Sequence, residues 1–235
     1  MHYLFVDESY RNFDDRRTVI VATWAVQQGR WNRRVPRLNE LFKPPIEKRI
    51  NSMLEELDAF AVVASATLER SLFRAGEIDS TDDIPAMART DNVWSICVSF
   101  AIAYLIKQLL DLGQRIDTID VYFDPKSLKC DHATAWEKFL RQSVVSEARR
   151  YTAQFRVNLP QNLKIRRIQP VEKQKNNQPA TKFQMGTWMA DRLCSGSGRM
   201  ITAGRTRRII RCDMSDVIRR TAQQMDGKSF YDSYS

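Results

Sequence analysis

The first seventy residues carry two strand-like apolar runs, switch once to helical spacing, and return to a strand. Tyr3 to Glu8 (YLFVDE) predicts a strand, and Thr18 to Val26 (TVIVATWAV) predicts a second, rich in β-branched residues. Between them RNFDDRR is a polar hairpin loop, so the two strands should pair antiparallel. Pro44 and Pro45 precede apolar residues at Ile46, Ile50, Met53, Leu54 and Leu57, the spacing of one helix face behind a proline start. Phe60 to Leu68 regains strand character, which makes the first third β-β-α-β.

Val93 to Ile106 is an almost unbroken apolar run, preceded by Asp91 as a cap and stopped by Gly113. It predicts a core helix. Residues 116 to 124 alternate Ile119, Val121 and Phe123 against Asp120, Tyr122 and Asp124, a fourth strand halted by Pro125. A helix-like segment carries Trp136, Phe139, Leu140, Val144 and Val145. Residues 163 to 171 predict a fifth strand, 181 to 193 a further helix, and 207 to 211 a short strand before a last helix. With only 8 glycines and 8 prolines, flexible linkers are scarce, so 1 to 235 is expected to form one domain. Residues 199 to 235 are expected to form a basic C-terminal extension packed on it.

Three antiparallel strands followed by alternating helices and strands describe an α/β fold with a mixed sheet. Strand 4 is expected parallel beside strand 1, which would bring the ends carrying Asp7 and Asp124 together. Ligand sites in open α/β sheets lie outside the carboxyl ends of the strands. Asp191 joins them if its helix crosses the same edge.

Composition adds a partner. Lysine and arginine number 37 against 28 acids, a net charge of +9 that favours polyanions such as nucleic acid. The apolar run of 14 residues from Val93 is too short for a bilayer, which needs about 20, and no secretory signal is visible. A soluble, cytoplasmic protein without membrane contact is expected. Cys97, Cys130, Cys194 and Cys212 are scattered, without a disulfide framework, and are expected reduced and mostly buried. Cys130 and His132 in KCDH do not make a zinc site, because His2 is the only other histidine.

Clustered carboxylates stay ionised only when positive charge compensates them, and divalent cations do so most simply. A pair of such ions about 3.5 to 4 Å apart suits phosphodiester hydrolysis, and oxygen donors favour Mg²⁺ or Mn²⁺. Each acid also has a plainer role. Asp7-Glu8 can be a strand ending in solvent, Asp124 before Pro125 can begin a turn, and Asp191-Arg192 can be an exposed helix pair. Period-two alternation lets only one of Asp7 and Glu8 face a given side.

YLFVDES, the FD that ends strand 4, and WMADRLCSG together resemble the RNase H-like nuclease family known as domain of unknown function 3800. The resemblance implies an RNase H-like mixed five-stranded sheet flanked by helices, with strands 4 and 5 parallel to strand 1. It implies a metal-dependent nuclease in which Asp7, Asp124 and Asp191 bind Mg²⁺ or Mn²⁺ and Glu8 is a fourth catalytic acid. Tyr10 stands where the family has glycine, and Trp188 where it has glutamine. RNase H enzymes carry an acid on the first core helix, and here that helix offers Asp91 and Asp111 at its ends. That difference keeps open an inactive nucleic-acid-binding module of a mobile-element or phage-defence system. Lys173, Lys175 and Lys182, with Arg166 and Arg167, are the expected nucleic-acid contacts. An actin-like nucleotide binder is disfavoured, because phosphate-cradling loops need glycine.

Overall fold

The computed structural model describes residues 1–12, 16–35, 46–69, 86–123, 141–142, 144–150, 153, 159–171, 181–195 and 208–218. Its elements are β1 (His2–Asn12), β2 (Arg16–Gln27), α1 (Gln28–Arg34), α2 (Ile46–Glu56), β3 (Phe60–Glu69), α3 (Ala86–Asp111), β4 (Thr118–Phe123), β5 (Lys164–Pro170), α4 (Lys182–Ser195) and β6 (Ile209–Asp213). The six strands form one sheet in the order β5-β4-β1-β2-β3-β6. β2 runs antiparallel to both β1 and β3, while β4 is parallel to β1, β5 to β4 and β6 to β3. This is the expected mixed sheet, with β1-β2-β3 antiparallel and β4 and β5 parallel to β1, and one strand added at the β3 edge.

Two expectations of extent change. β1 does not end at the acids but runs four residues past Glu8, and β2 begins at Arg16, so Arg11 pairs with Thr18 and Asn12 with Arg17. The charged ends of the hairpin are held by contacts that hydrophobic alternation does not register. The Arg17 guanidinium lies 4.4 Å from the Tyr10 ring centre, and the Thr18 and Thr67 hydroxyls share a hydrogen bond of 3.1 Å. The late strand spans 209 to 213 rather than 207 to 211, and it is a full member of the sheet through pairs from Ala61–Ile209 to Ser65–Asp213.

Both faces of the sheet are covered, which is why its central strands are buried on both sides. On one face α3 packs against β2 and β3, enclosing Leu4, Val6, Val21, Val62, Ile102 and Ile106. α4 packs on the other face against β1, β2 and β4, with Tyr3, Phe5, Trp24, Met185, Met189 and Leu193 in its core. α3 stops where predicted: Gly113 has φ +73°, its N–H bonds Leu110 O at 2.9 Å, and Gln114 N–H bonds Leu109 O at 2.9 Å. Trp136, Phe139 and Leu140 lie outside the described residues, whereas 144–150 are helical with Val144 and Ala148 buried on the α3 side.

α4 begins at a capping box spelled TKFQ. Gln184 N–H donates to Thr181 Oγ1 at 3.2 Å, and Thr181 N–H donates to Gln184 Oε1 at 3.0 Å. Its closest approach to the sheet is at Gly186. A Cβ there would overlap the Phe5 ring, and the Trp24 indole N–H donates to Gly186 O at 2.9 Å.

Gly186→Ala would normally strengthen a helix by about 1 kcal/mol. Here the expected outcome is the reverse, a loss of about 1 to 3 kcal/mol from overpacking, read as a lower urea midpoint. A second prediction concerns pH. Burial lowers the His2 pKa from 6.5 to about 4, so the fold holds it neutral while the unfolded chain protonates it first. Stability should therefore be full above 6.5 and fall as pH drops from 6.5 toward about 4, a loss that His2→Gln should diminish in urea melts across that window.

Candidate functional site

On β1, odd residues face α4 and even residues face α3, so Asp7 continues the Tyr3–Phe5 row beneath α4. Asp7 is only 4% exposed. Its Oδ1 accepts the Glu8 backbone N–H at 2.8 Å. Glu8 follows the Leu4–Val6 row toward α3, where its charge, after burial itself, helps push up the Cys97 thiol pKa. The two adjacent acids thus separate to opposite faces of the sheet.

α4 brings the second acid. It runs parallel to β1: Phe183 packs 5.7 Å from the Tyr3 ring, Gly186 lies on Phe5, and Asp191 reaches Asp7. Ligand atoms of Asp7, Asp191 and Cys194 all lie within 4.8 Å of one another. Asp191 is partly exposed and has Arg192 Nε 3.6 Å from its Oδ2. The Cys194 Sγ donates to the Asp191 backbone carbonyl at 3.3 Å. Burial first, and then the charges of Asp7, Asp191 and Glu8, push the Cys194 thiol pKa well up. Among the described residues these three form the group able to hold a metal.

Asp124 lies outside the described residues, as do Lys173 and Lys175. The β1–β4 ladder is described as far as Val6–Phe123, and the next residues in sequence are Asp7 and Asp124. On α3 the Asp91 side chain is outside the described set, and Asp111 is ion-paired with Lys107.

Two of the expected basic contacts, Arg166 and Lys182, have protein partners. Arg166 donates Nε and Nη2 to the two oxygens of Asp120 at 2.9 and 2.6 Å, and the Asp120 side chain is 1% exposed. Asp120 and Tyr122, which alternation assigned to a polar face, are both buried, and burial pushes the Tyr122 pKa up to about 12. Lys182 Nζ donates to Asn32 Oδ1 at 2.8 Å and lies 5.0 Å from the Phe183 ring centre. Arg167 is exposed on edge strand β5.

Cys194 is the site residue that sequence reasoning missed. Its signal was present as the i, i+3 spacing from Asp191, which puts both side chains on one face of a helix. A scan for metal-binding cysteines looks for pairs, and a lone thiol beside two acids does not register.

No family model matches the chain, and no curated protein does. Among solved structures it is similar to a chain from the PCNA:RNase HII complex of Archaeoglobus fulgidus, with 11% identity and a TM-score of 0.38. That likeness covers 95% of this chain and 87% of the other. It is also similar to a mutant of Bst-RNase HIII, with 11% identity and a TM-score of 0.33, over 82% of this chain and 50% of that one.

Arg166→Ala would leave the Asp120 carboxylate buried without its guanidinium. It should lower the urea midpoint clearly more than Arg167→Ala. Equal effects of the two variants would mean that the pair contributes little to the fold.

Proposed function

We propose that the protein is a metal-dependent nuclease, hydrolysing phosphodiester bonds of nucleic acid, of the RNase H-like kind that YLFVDES and WMADRLCSG resemble. One observation carries this reading. Asp7 on β1 and Asp191 on α4 converge within 4.8 Å on the sheet face that α4 covers. Two carboxylates that close repel unless a cation lies between them, and burial of Asp7 strengthens the repulsion. Their oxygens fit Mg²⁺ or Mn²⁺, and Asp7 and Asp191 would hold it. Asp124 is the proposed third acid, supported by its place directly after the Val6–Phe123 pair. Glu8, turned to the α3 face, would support rather than bind.

A bound divalent ion would polarise the phosphoryl group and acidify an attacking water. In the reaction, water oxygen bonds to phosphorus, the bond to the leaving nucleoside oxygen breaks, and that oxygen takes up a proton. The chain's own contribution is positional. α4 holds Asp191 over Asp7, with buried Cys194 beside both. A net charge of +9 draws a polyanion toward the protein.

Cys194 also favours a second reading. Among the described residues the group pairs two carboxylates with a thiol rather than with a third carboxylate, as a binding module that has lost its chemistry would. Cleavage of single-stranded, double-stranded and hybrid oligonucleotides with Mg²⁺ or Mn²⁺ distinguishes the two. The nuclease reading expects Asp7→Asn and Asp191→Asn to slow cleavage by at least about a hundredfold. Cleavage equal in parent and Asp7→Asn would refute the site. Binding by the parent without cleavage of any substrate would establish the module instead.

A further inference from the structure

Beside the acids, past the carboxyl end of α4, the same sheet face holds a cavity of about 350 Å³. That is within the size range of small-ligand sites. Its floor is built from the sheet, with Ile20 and Val63 apolar at the centre and the Thr18 and Ser65 hydroxyls beside them. Cys194 forms part of its wall and also lies within 4.8 Å of the Asp7 and Asp191 ligand atoms, so cavity and acids adjoin. Two arginines line it, Arg11 from β1 and Arg211 from β6. Both are exposed, so their guanidinium groups meet water rather than the core.

Register fixes where the two charges stand. Asp7 pairs with Ala22, Ala22 with Val63, and Val63 with Arg211, one row across β1, β2, β3 and β6. Three strand spacings separate Asp7 from Arg211, about 14 Å between backbones. Arg11 lies four residues beyond Asp7 on the same face of β1, about 13 Å away. Long arginine side chains shorten both gaps. Asp213, also in the lining, accepts the Ser215 backbone N–H at 2.8 Å and its hydroxyl at 2.6 Å, which turns part of its charge away from the cavity.

We propose that this cavity is a phosphate-backbone subsite. Arg11 and Arg211 would grip a nucleic-acid strand on one side of the phosphodiester held at Asp7 and Asp191. Strand β6 would then be more than cover for the β3 edge, because it supplies Arg211 and closes the cavity's far wall. Guanidinium is suited to this task, since its fork meets two phosphate oxygens at once. The Ser65 hydroxyl adds a donor that reads no base, so the subsite would position a strand without selecting sequence. The inference rests on the nuclease reading only for what happens to the strand at the acids.

The test is binding, measured without divalent metal so that it stands apart from cleavage. Fluorescein-labelled single-stranded, double-stranded and hybrid oligonucleotides of about 16 nucleotides are titrated by anisotropy across a range of salt. Arg11→Ala and Arg211→Ala should each weaken binding and make the dependence of log K on log salt shallower by about 0.7 to 0.9. Arg211→Lys should keep most of the slope, and Arg150→Ala, on the distant helix at 144–150, should leave it unchanged. Unchanged slopes in both cavity variants, or no binding of any oligonucleotide by the parent, would overturn the subsite. If Asp7→Asn cleaved like the parent while the arginine variants lost slope, the hydrolytic reading would fail and the subsite would stand.

Discussion

The contact of Gly186 with the Phe5 ring sets the position of everything near the site. Because residue 186 has no side chain, α4 lies down on β1, and the Trp24 indole pins the helix backbone there. From that point helix and strand advance together. Tyr3 to Asp7 covers about 13 Å at strand rise, and Phe183 to Asp191 about 12 Å at helix rise. Phe183 therefore meets Tyr3, Gly186 meets Phe5 and Asp191 meets Asp7 without strain in either element. A bulkier residue at 186 would tilt or lift the helix, and the acids at its far end would move furthest.

The same helix covers two buried acids and treats them differently. Asp120 on β4 is met by Arg166 from the neighbouring strand, a bidentate pair that makes its burial tolerable. Asp7 on β1 is met by another carboxylate and a thiol, with the Glu8 N–H on one oxygen. Neutralising a buried acid is the ordinary solution, and adding a second acid is costly unless a cation is to be bound. Among the described neighbours, Asp120 meets a guanidinium, whereas Asp7 meets a carboxylate and a thiol.

Most of the framework was legible in the sequence because it is local. Apolar and β-branched runs located the first five strands, and proline and glycine marked helix ends. What alternation misjudged depends on partners far along the chain. Asp120 and Tyr122 look like a solvated face until α4 is laid over them, and Arg11 and Arg17 look like loop residues until Thr18, Thr67 and Tyr10 are placed beside them. The approach of Asp191 to Asp7 was readable only as a condition on where its helix crossed. Cys194 was hidden for a different reason, since its role comes from the two acids and not from its own spacing to other cysteines.

Strand β6 changes the electrostatics of the sheet more than its hydrophobic content. Its burial is only partial, and it leaves the core clusters nearly as they would be without it. What it adds is a row of residues that begins at Asp7 and ends at Arg211, with small Ala22 and apolar Val63 between. The backbones of Asp7 and Arg211 stand about 14 Å apart on one sheet face, with little side-chain bulk between them. A ligand that touched both ends of the row would have to span that distance. A strand of nucleic acid is such a ligand, repelled by bare acids at one end of the row and drawn by the arginine at the other. On the proposed reading, compensation of the acids by a cation would remove the repulsion, so metal binding at Asp7 and strand binding at Arg211 would reinforce one another.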